Sequence, residues 1–276
     1  EYINYKQILP TSWQTRVTVK RKELQDAIER ASLMAKEGKN NLIRMKASQG
    51  SLTITSNSEM GDVREEMEAH LEGVDIEIAK YIADKLGVEL KITALDYTAV
   101  LSGVADGKYD FAISAIAYAP SRAEAMRLSN VYYTSSNGYG LLVRAEDAGK
   151  YNSIESLQDA VVITQSGSVQ ESLYNQYVNG NCKEFKLVAN MTDGYLAVAQ
   201  GKADVCICET SSAGLYAEAN GGLATTDFRF EVDPNMNGTC VAMPTDGTES
   251  LCDVVNECIQ ELNASGQIEA WYAQYE

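Results

Sequence analysis

The pattern of apolar and polar positions before residue 73 is that of a small α+β structure. A helical apolar stripe runs over residues 21–37 and ends at Gly38. Period-two alternation predicts strands at 15–19, 41–47 and 51–56. Residues 62–72 have the composition of a helix and the alternation of a strand, so both interpretations stay open.

From residue 73 onward, helices and strands alternate with short links. Helices are predicted at 73–87 and 97–107, and strands at 88–95, 110–117 and 140–144. A second series starts near residue 150, with strands at 161–165, 185–190, 204–209 and 238–244 and helices at 153–160, 166–178, 192–203, 211–222 and 248–275. Such alternation is typical of doubly wound sheets. Two such units with chain crossings predict a bilobed molecule whose ligand binds in a cleft, beyond the carboxyl ends of the strands.

Charge is distributed unevenly over the 276 residues. The net charge is −16, but residues 1–50 carry ten Lys/Arg and five Asp/Glu, or +5, which leaves −21 for residues 51–276. A chain this acidic is not expected to bind nucleic acid over its whole surface. No apolar run approaches the roughly 20 residues that span a bilayer. The polar opening EYINYKQ predicts no signal peptide in the numbered chain.

The cysteines and the single histidine do not have the spacing of a metal site. Cys206 and Cys208 alternate along an apolar strand, which predicts that both face the core. The six cysteines form no CxxC motif, and His70 has no partner motif. We therefore expect no metal and no cofactor.

The first quarter of the chain resembles the third domain of the bacterial sliding clamp, the ring subunit of the replicative polymerase. The resemblance rests on NYKQILP (4–10), VTVKRKELQDAIERASLMAKEG (17–38) and SLTITSNSEMGDVREEMEAHLEG (51–73). In a clamp, the helix at 21–37 would line the DNA hole. Its basic positions, with the lysine just before it, would then face phosphate: Lys20, Arg21, Lys22, Arg30 and Lys36. A fragment cannot encircle DNA, so we interpret them as a solvated basic face.

Residues 73–276 resemble the extracellular solute-binding proteins of polar amino-acid ABC transporters. The landmarks are GVDIEIAKYIADKLG, DGKYDFAISAIAYAPSRAEAMRLSNVYY, ITQSGSVQESL, GKADVCICETSSAGLY and SGQIEAWYAQY. The resemblance implies a bilobed type II periplasmic-binding-protein fold with two doubly wound sheets, here preceded by the clamp-like α+β segment. It also implies a monomer that captures a free α-amino acid between two lobes, performs no enzymatic reaction, and delivers the ligand to a permease at the outer face of the membrane.

The resemblance assigns the ligand's charged groups to a few positions. Arg122 occupies the arginine that grips the α-carboxylate. A cation in the first turn of a helix opposes the helix dipole, which also suggests that an anion is bound there. Gly167 and Ser168 form the turn whose backbone N–H groups hold the same carboxylate, and Glu209 stands where the family has the acid that pairs with the α-ammonium. The alternatives are a surface arginine, an ordinary helix-start turn and a surface acid.

The sequence departs from the family in the loop before this arginine. The family's Ser and Thr ligands are replaced by Ala117 and Ala119, with Tyr118 between them and Ala115 completing the candidate lining. The family's first strand is also replaced, and strand 51–56 is expected to substitute for it. Residues 57–60 would then form a cleft rim without an aromatic wall. Losing that stacking area would weaken binding by about 1–3 kcal/mol.

These expectations define four segments of the chain. Residues 1–72 are the clamp-like segment (with 51–72 open to completing the first lobe), 73–137 the first lobe, 138–243 the second lobe, and 244–276 the helices that return to the first. Two other functions stay open, a chimeric fold that binds nothing and a clamp-derived protein associated with DNA. An enzyme would need a general acid or base in the cleft, and the sequence offers none at a suggestive spacing.

Overall fold

The computed structural model describes residues 16–37, 43–48, 50–58, 61–135 and 137–275. They form two compact units. The N-terminal unit comprises the described parts of Trp13–Leu95 and Glu269–Glu276, and the central unit comprises the described part of Asp96–Ile268. The NYKQILP segment, Glu59 and Met60 lie outside the described residues.

The N-terminal unit is built on a four-stranded antiparallel sheet. Its first elements are β1 (Arg16–Val19), α1 (Arg21–Glu37), β2 (Arg44–Ser48), β3 (Gly50–Ser58), β4 (Gly61–Glu72) and α2 (Val74–Leu86). The strand order is β1-β4-β3-β2, and every pairing is antiparallel. The strands and helices predicted for residues 15–56 and 73–87 are confirmed over their described parts.

The core of this unit lies between the sheet and α1. It contains Ala27, Ala31, Leu52, Ile54, Met67 and Ala69. The alanines of α1 let the helix lie close to the sheet, where Ile54 is completely buried. Of the two interpretations of residues 62–72, the strand is correct. Burial of every second side chain against the helix outweighs a composition that favours a helix.

The strand predicted to substitute in the sheet of the first lobe does not do so. Residues 51–56 lie in β3, which pairs with β2 along one edge and with β4 along the other. That prediction is wrong, because a strand with both edges hydrogen-bonded cannot join a further sheet. Asn57 and Ser58 of the expected cleft rim are also part of β3, where they pair with Asp62 and Gly61.

Residues 88–95 were also predicted to be a strand, and this prediction is wrong. Only Thr93 makes a bridge, and the rest of the segment has no regular structure. Val88 is 58% exposed. Alternation alone does not make a strand, since its apolar face must be covered and its backbone paired.

The central unit contains most of the regular structure of the chain. Its elements are α3 (Tyr97–Ala105), β5 (Ala112–Ala117), α4 (Pro120–Ala125), β6 (Arg127–Leu128), β7 (Tyr133–Thr134), β8 (Tyr139–Arg144), β9 (Val161–Gln165), α5 (Val169–Leu173), β10 (Glu184–Val188), α6 (Met191–Ala199), β11 (Val205–Glu209), α7 (Thr210–Asn220), β12 (Leu223–Arg229), β13 (Gly238–Met243) and α8 (Glu249–Ala264), and α9 (Gln267–Tyr275) follows. The helix predicted at 153–160 is only a 3-10 turn at Glu155–Leu157.

Two sheets organise the central unit. The larger has the order β10-β9-β11-β8-β12, with β9 and β11 parallel and β9 and β10 parallel. The smaller has β13 as its central strand, antiparallel to β5, β6 and β7. The chain passes between the two sheets twice, from β7 to β8 and from β12 to β13, which corresponds to the predicted bilobed architecture.

The larger sheet is covered by helices and has an apolar interior. Leu141 and Ile207 contribute to the core on one face, and Leu142 and Ile163 to the core on the other. Cys206 and Cys208 are fully buried in the second of these cores, as the alternation predicted. Burial raises the pKa of both thiols, so they behave as small core residues.

Candidate ligand-binding site

Arg122 is buried where the two sheets of the central unit approach each other. Pro120 opens α4, and Arg122 follows in its first turn with only 8% of its surface exposed. Nη1 donates to the carbonyl oxygen of Ala117 at 2.6 Å, and Nη2 donates to that of Gly167 at 2.9 Å. The guanidinium therefore bridges the strand β5 and the turn after β9, and it is not a surface arginine.

Tyr97, which the sequence reasoning did not single out, lies beside this guanidinium. Its ring centroid is 5.7 Å from Cζ of Arg122, within the range of a cation–π contact. Burial raises the pKa of Tyr97, and the neighbouring Arg122 opposes part of that shift. The next residue, Thr98, donates from Oγ1 to the carbonyl oxygen of Ser166 at 3.4 Å. The sequence signal that could have identified Tyr97 is its position, an aromatic residue at the start of a predicted helix.

Gly167 and Ser168 form a tight turn between β9 and α5. Gly167 has φ 74°, a left-handed conformation that favours glycine, and an added Cβ would lie 3.2 Å from Oγ1 of Thr98. Ser168 caps α5 by accepting from the N–H of Glu171 at 3.2 Å. The N–H of Gly167 donates to Oε2 of Glu171 at 2.6 Å. In this structure the N–H of Gly167 is therefore occupied by a carboxylate of the chain itself, and binding of a ligand carboxylate by this turn stays a prediction.

Glu209 ends β11 and caps α7. Its Oε1 accepts from the N–H of Ser211 at 2.9 Å and from the hydroxyl of Ser135 at 2.6 Å. Its Oε2 accepts from the N–H of Ser212 at 2.8 Å and from the hydroxyl of Ser212 at 2.9 Å. All four donors are neutral, so the carboxylate is fixed in place while its negative charge has no cation among these partners.

The loop before Arg122 supplies backbone and not side-chain polar groups. Ala117 is buried and offers its carbonyl oxygen to Arg122. Tyr118 is half-buried, and its N–H donates to the carbonyl oxygen of Gly238 at 2.9 Å. Ala115 has a positive φ of 47° and lies in the part of β5 where the pairing with β13 shifts register. This is strained backbone for a residue with a Cβ, and strain of this kind clusters at functional sites.

The chemistry of this arrangement suits a zwitterion. Among the described residues, the Arg122 guanidinium contacts the carbonyl oxygens of Ala117 and Gly167 and the side chain of Tyr97, all of them neutral. The hydrogen-bond donors to Glu209 are neutral as well. A buried charge is costly unless an opposite charge compensates it. A ligand that carries both a carboxylate and an ammonium would supply both counter-charges. In the part of the chain that the structure describes, no group of three or more His, Cys, Asp or Glu side chains could hold a metal ion.

The N-terminal unit contains a cavity of about 490 Å³. Lys20 and Lys80 lie in its wall, and each is already near a carboxylate: Lys20 Nζ is 3.3 Å from Glu23 Oε1 and Lys80 Nζ is 2.9 Å from Glu77 Oε1. Both ammonium groups in this wall therefore already have a carboxylate partner within the chain.

Comparison with known proteins decides the family. The model of the bacterial extracellular solute-binding proteins, family 3, matches residues 56–276. The chain belongs to this family. ArtP, the arginine-binding extracellular protein of Bacillus subtilis (strain 168), is 24% identical over 200 residues, which are 71% of this chain and 74% of ArtP.

Solved structures agree with the family assignment and with the type II fold. The amino acid ABC transporter substrate-binding protein AbpA from Streptococcus pneumoniae, bound to L-arginine, is 31% identical and has a TM-score of 0.68, over 76% of this chain and 87% of AbpA. Family 3 proteins are extracellular. Within the described residues, no helix has both the length and the apolar character needed to cross a membrane.

The clamp resemblance is also found, over a smaller part of the chain. The model of the C-terminal domain of the DNA polymerase III beta subunit matches residues 6–93. The beta sliding clamp of Bacillus subtilis (strain 168) is 38% identical over 96 residues, and the match covers 31% of this chain and 25% of that clamp. The chain therefore joins a clamp-like segment to a family 3 solute-binding fold, and the two matches overlap at residues 56–93.

Proposed function

We propose that the chain captures a free polar α-amino acid between the two sheets of the central unit. The observation that supports this most is the pair of fixed, opposite charges at Arg122 and Glu209, whose hydrogen-bond partners among the described residues are neutral. The ligand carboxylate would replace the Gly167 carbonyl oxygen as a partner of the guanidinium, and the ligand ammonium would approach the Glu209 carboxylate. Charge-assisted hydrogen bonds of this kind are about twice as strong as neutral ones.

L-Arginine is the first ligand to test. ArtP is named for arginine binding, and the AbpA structure contains L-arginine. The charge of −21 over residues 51–276 would favour the approach of a cationic ligand. Tyr97 supplies an aromatic face next to Arg122, at the proposed site of the ligand carboxylate. Delivery to an ABC transporter permease, as a monomer outside the cell, is part of the same proposal.

Calorimetric titration of unfolded and refolded protein, freed of carried-over ligand, tests the proposal. We expect L-arginine or another polar amino acid to bind with a dissociation constant in the micromolar range or below. Glu209→Gln should weaken that binding, because the ammonium loses its counter-charge. Glu65→Gln in the N-terminal unit is the matched control and should leave it unchanged. No heat from any of the twenty amino acids, in protein shown to be folded, would overturn the proposal and support a chimeric fold that binds nothing.

A further inference from the structure

The two chain crossings between the sheets of the central unit are joined to each other by hydrogen bonds. At the first crossing, the N–H of Ser135 donates to the carbonyl oxygen of Asn237 at 2.9 Å, at the end of the second crossing. Beyond it, the hydroxyl of Tyr139 donates to the carbonyl oxygen of Met236 at 3.0 Å. Rotation of one sheet relative to the other must change the backbone of both crossings, so residues here respond directly to lobe closure.

Ser135 also contacts the proposed ammonium-binding acid. Its hydroxyl donates to Oε1 of Glu209 at 2.6 Å, which is the length of a strong O–H···O⁻ hydrogen bond. One residue is therefore bonded to the second crossing through its backbone and to the acid through its side chain. Ser135 is half-buried, so water competes only partly for this contact.

The other end of the first crossing is held by the residue that follows Glu209. The N–H of Thr210 donates to the carbonyl oxygen of Gly138 at 2.9 Å, and its hydroxyl lies 3.0 Å from the carbonyl oxygens of Asn137 and Gly138. The end of β11 thus fixes the far end of the crossing in the larger sheet. Ser135 lies at the near end of the first crossing, next to β7, and its hydroxyl donates to the Glu209 carboxylate.

Ser212 provides a contrast within the same hydrogen-bond group. Its hydroxyl donates to Oε2 of Glu209 at 2.9 Å, and its N–H donates to the same oxygen. Ser212 lies in the first turn of α7, so these bonds join the acid to its own helix. A rotation of the sheets would leave these bonds within one helix intact, whereas the Ser135 bond joins the first crossing to the larger sheet.

We propose that Ser135 is a positioning residue that couples ligand binding at Glu209 to lobe closure. The inference rests on the proposed function of Glu209 as the ammonium-binding acid. The Ser135–Glu209 hydrogen bond is made in the conformation seen here, so it favours that conformation over a more open one. A ligand ammonium that needs Glu209 in the same orientation is favoured together with it, and linkage makes this coupling reciprocal.

The experiment compares Ser135→Ala with Ser212→Ala, since each removes one hydroxyl donor from the same carboxylate. Small-angle X-ray scattering of ligand-free protein reports lobe opening, and calorimetry with L-arginine reports affinity. We expect Ser135→Ala to increase the ligand-free radius of gyration and to weaken binding about three- to tenfold. Ser212→Ala should leave the radius unchanged. Ser135→Thr keeps the hydroxyl and should restore both properties.

Three results would overturn the coupling: equal effects of the two alanine variants on radius and affinity, an unchanged ligand-free radius in Ser135→Ala, or failure of Ser135→Thr to restore wild-type behaviour. If Ser135→Ala opens the ligand-free protein and the wild type binds no amino acid, the proposed function fails and with it the coupling to a ligand. If the wild type binds an amino acid but Ser135→Ala and Ser212→Ala do not differ in radius or affinity, the coupling is wrong while the proposed function stands.

Discussion

Arg30 in the N-terminal unit and Arg122 in the central unit have opposite surroundings. The Arg30 side chain is 55% exposed and donates from Nε to Oε1 of Glu65 at 2.7 Å. Arg122 is 8% exposed, and its guanidinium donates to the carbonyl oxygens of Ala117 and Gly167. An exposed ion pair contributes little to stability, because water screens both charges. Unlike Arg30, the buried arginine has no carboxylate among these hydrogen-bond partners, which supports the proposal that a ligand supplies one.

Acidic groups show the same difference between the units. The Arg30 guanidinium lowers the pKa of Glu65 through a direct hydrogen bond, so this carboxylate already has its cation. The donors to Glu209 in the described part of the chain are the neutral N–H and hydroxyl groups of three serines. The ion pair of Arg30 and Glu65 therefore needs no further partner, whereas the partners of Arg122 and Glu209 described above are neutral, which supports the proposed ligand site.

Replacing each of the two arginines should give the largest contrast. Arg122→Met removes the proposed partner of the ligand carboxylate, and loss of one member of a buried charge pair costs about 2–5 kcal/mol. We expect amino-acid affinity to fall at least about 30-fold. Arg30→Met, an exposed change, should leave affinity as in the wild type. Calorimetric titration of both variants checks this, and an affinity of Arg122→Met within about threefold of wild type would contradict the assignment.

Core truncation tests whether the two units are stabilised separately. Ile54 in β3 and Ile207 in β11 are both completely buried, and isoleucine-to-alanine changes in cores cost about 2–5 kcal/mol. Ile54→Ala should speed amide hydrogen exchange in β2, β3 and β4, and Ile207→Ala should speed it in β8, β9 and β11. Exchange that rises equally in both units for either variant would mean that they unfold together.

Asp204 offers a smaller and pH-dependent effect in the central unit. Burial alone would raise its pKa, but the N–H of Val161 and the guanidinium of Arg144 outweigh this and hold the pKa below its usual value. A lowered folded-state pKa means that Asp204 stabilises the fold above the ordinary carboxyl pKa of about 3.9, and that this contribution is lost as the pH falls through the folded value.

Asp204→Asn should therefore reduce the free energy of unfolding by about 1–2 kcal/mol near neutral pH. The difference from wild type should shrink as the pH is lowered below the carboxyl range. Urea unfolding at neutral and acidic pH measures it, and Asp159→Asn, at an exposed position, serves as control. An effect of equal size at both pH values would show that the carboxylate charge is not responsible.

Relief of backbone strain should give the smallest effect. Ala115 has φ 47°, and the left-handed region costs a residue with a Cβ about 1–2 kcal/mol. Ala115→Gly should raise the free energy of unfolding by up to about 1 kcal/mol, because the greater freedom of glycine in the unfolded chain offsets part of the gain. Ala117→Gly in the same strand should lower it. Urea unfolding of the two variants and the wild type measures these changes in the free energy of unfolding. A lower free energy of unfolding for Ala115→Gly would contradict the prediction.

The segment where the two family matches overlap shows what pattern alone leaves open. Residues 62–72 belong to both matches, and their composition and alternation disagree. In the structure they form most of β4, paired with β1 and β3 in the N-terminal unit. The competing expectation, that neighbouring strand 51–56 serves the sheet of the first lobe, was wrong because β3 already had partners on both edges. Both partners of β3 are its neighbours in sequence, β2 and β4, so the expected pairing with a distant sheet was less favourable than pairing between neighbouring strands. Only the pairing of β1 with β4 joins distant parts of this unit.

The sequence by itself determined the elements with strong local signals and the identity of the charged residues. Helix α2 follows from its apolar spacing and from Gly87, which ends it in the left-handed conformation. Arg122 and Glu209 could be named as candidates because the landmarks around them carry a family resemblance.

Only the tertiary structure decided the surroundings of those residues. It placed the Arg122 guanidinium against two carbonyl oxygens, brought Tyr97 beside it, and bonded Ser135 to Glu209 over 74 positions of the chain. It also left residues 88–95 without a strand, although they alternate. The physical reason for the contacts of Arg122 with Gly167 and Tyr97, and of Ser135 with Glu209, is that burial and hydrogen bonding depend on which distant residues meet, and local periodicity carries no information about that.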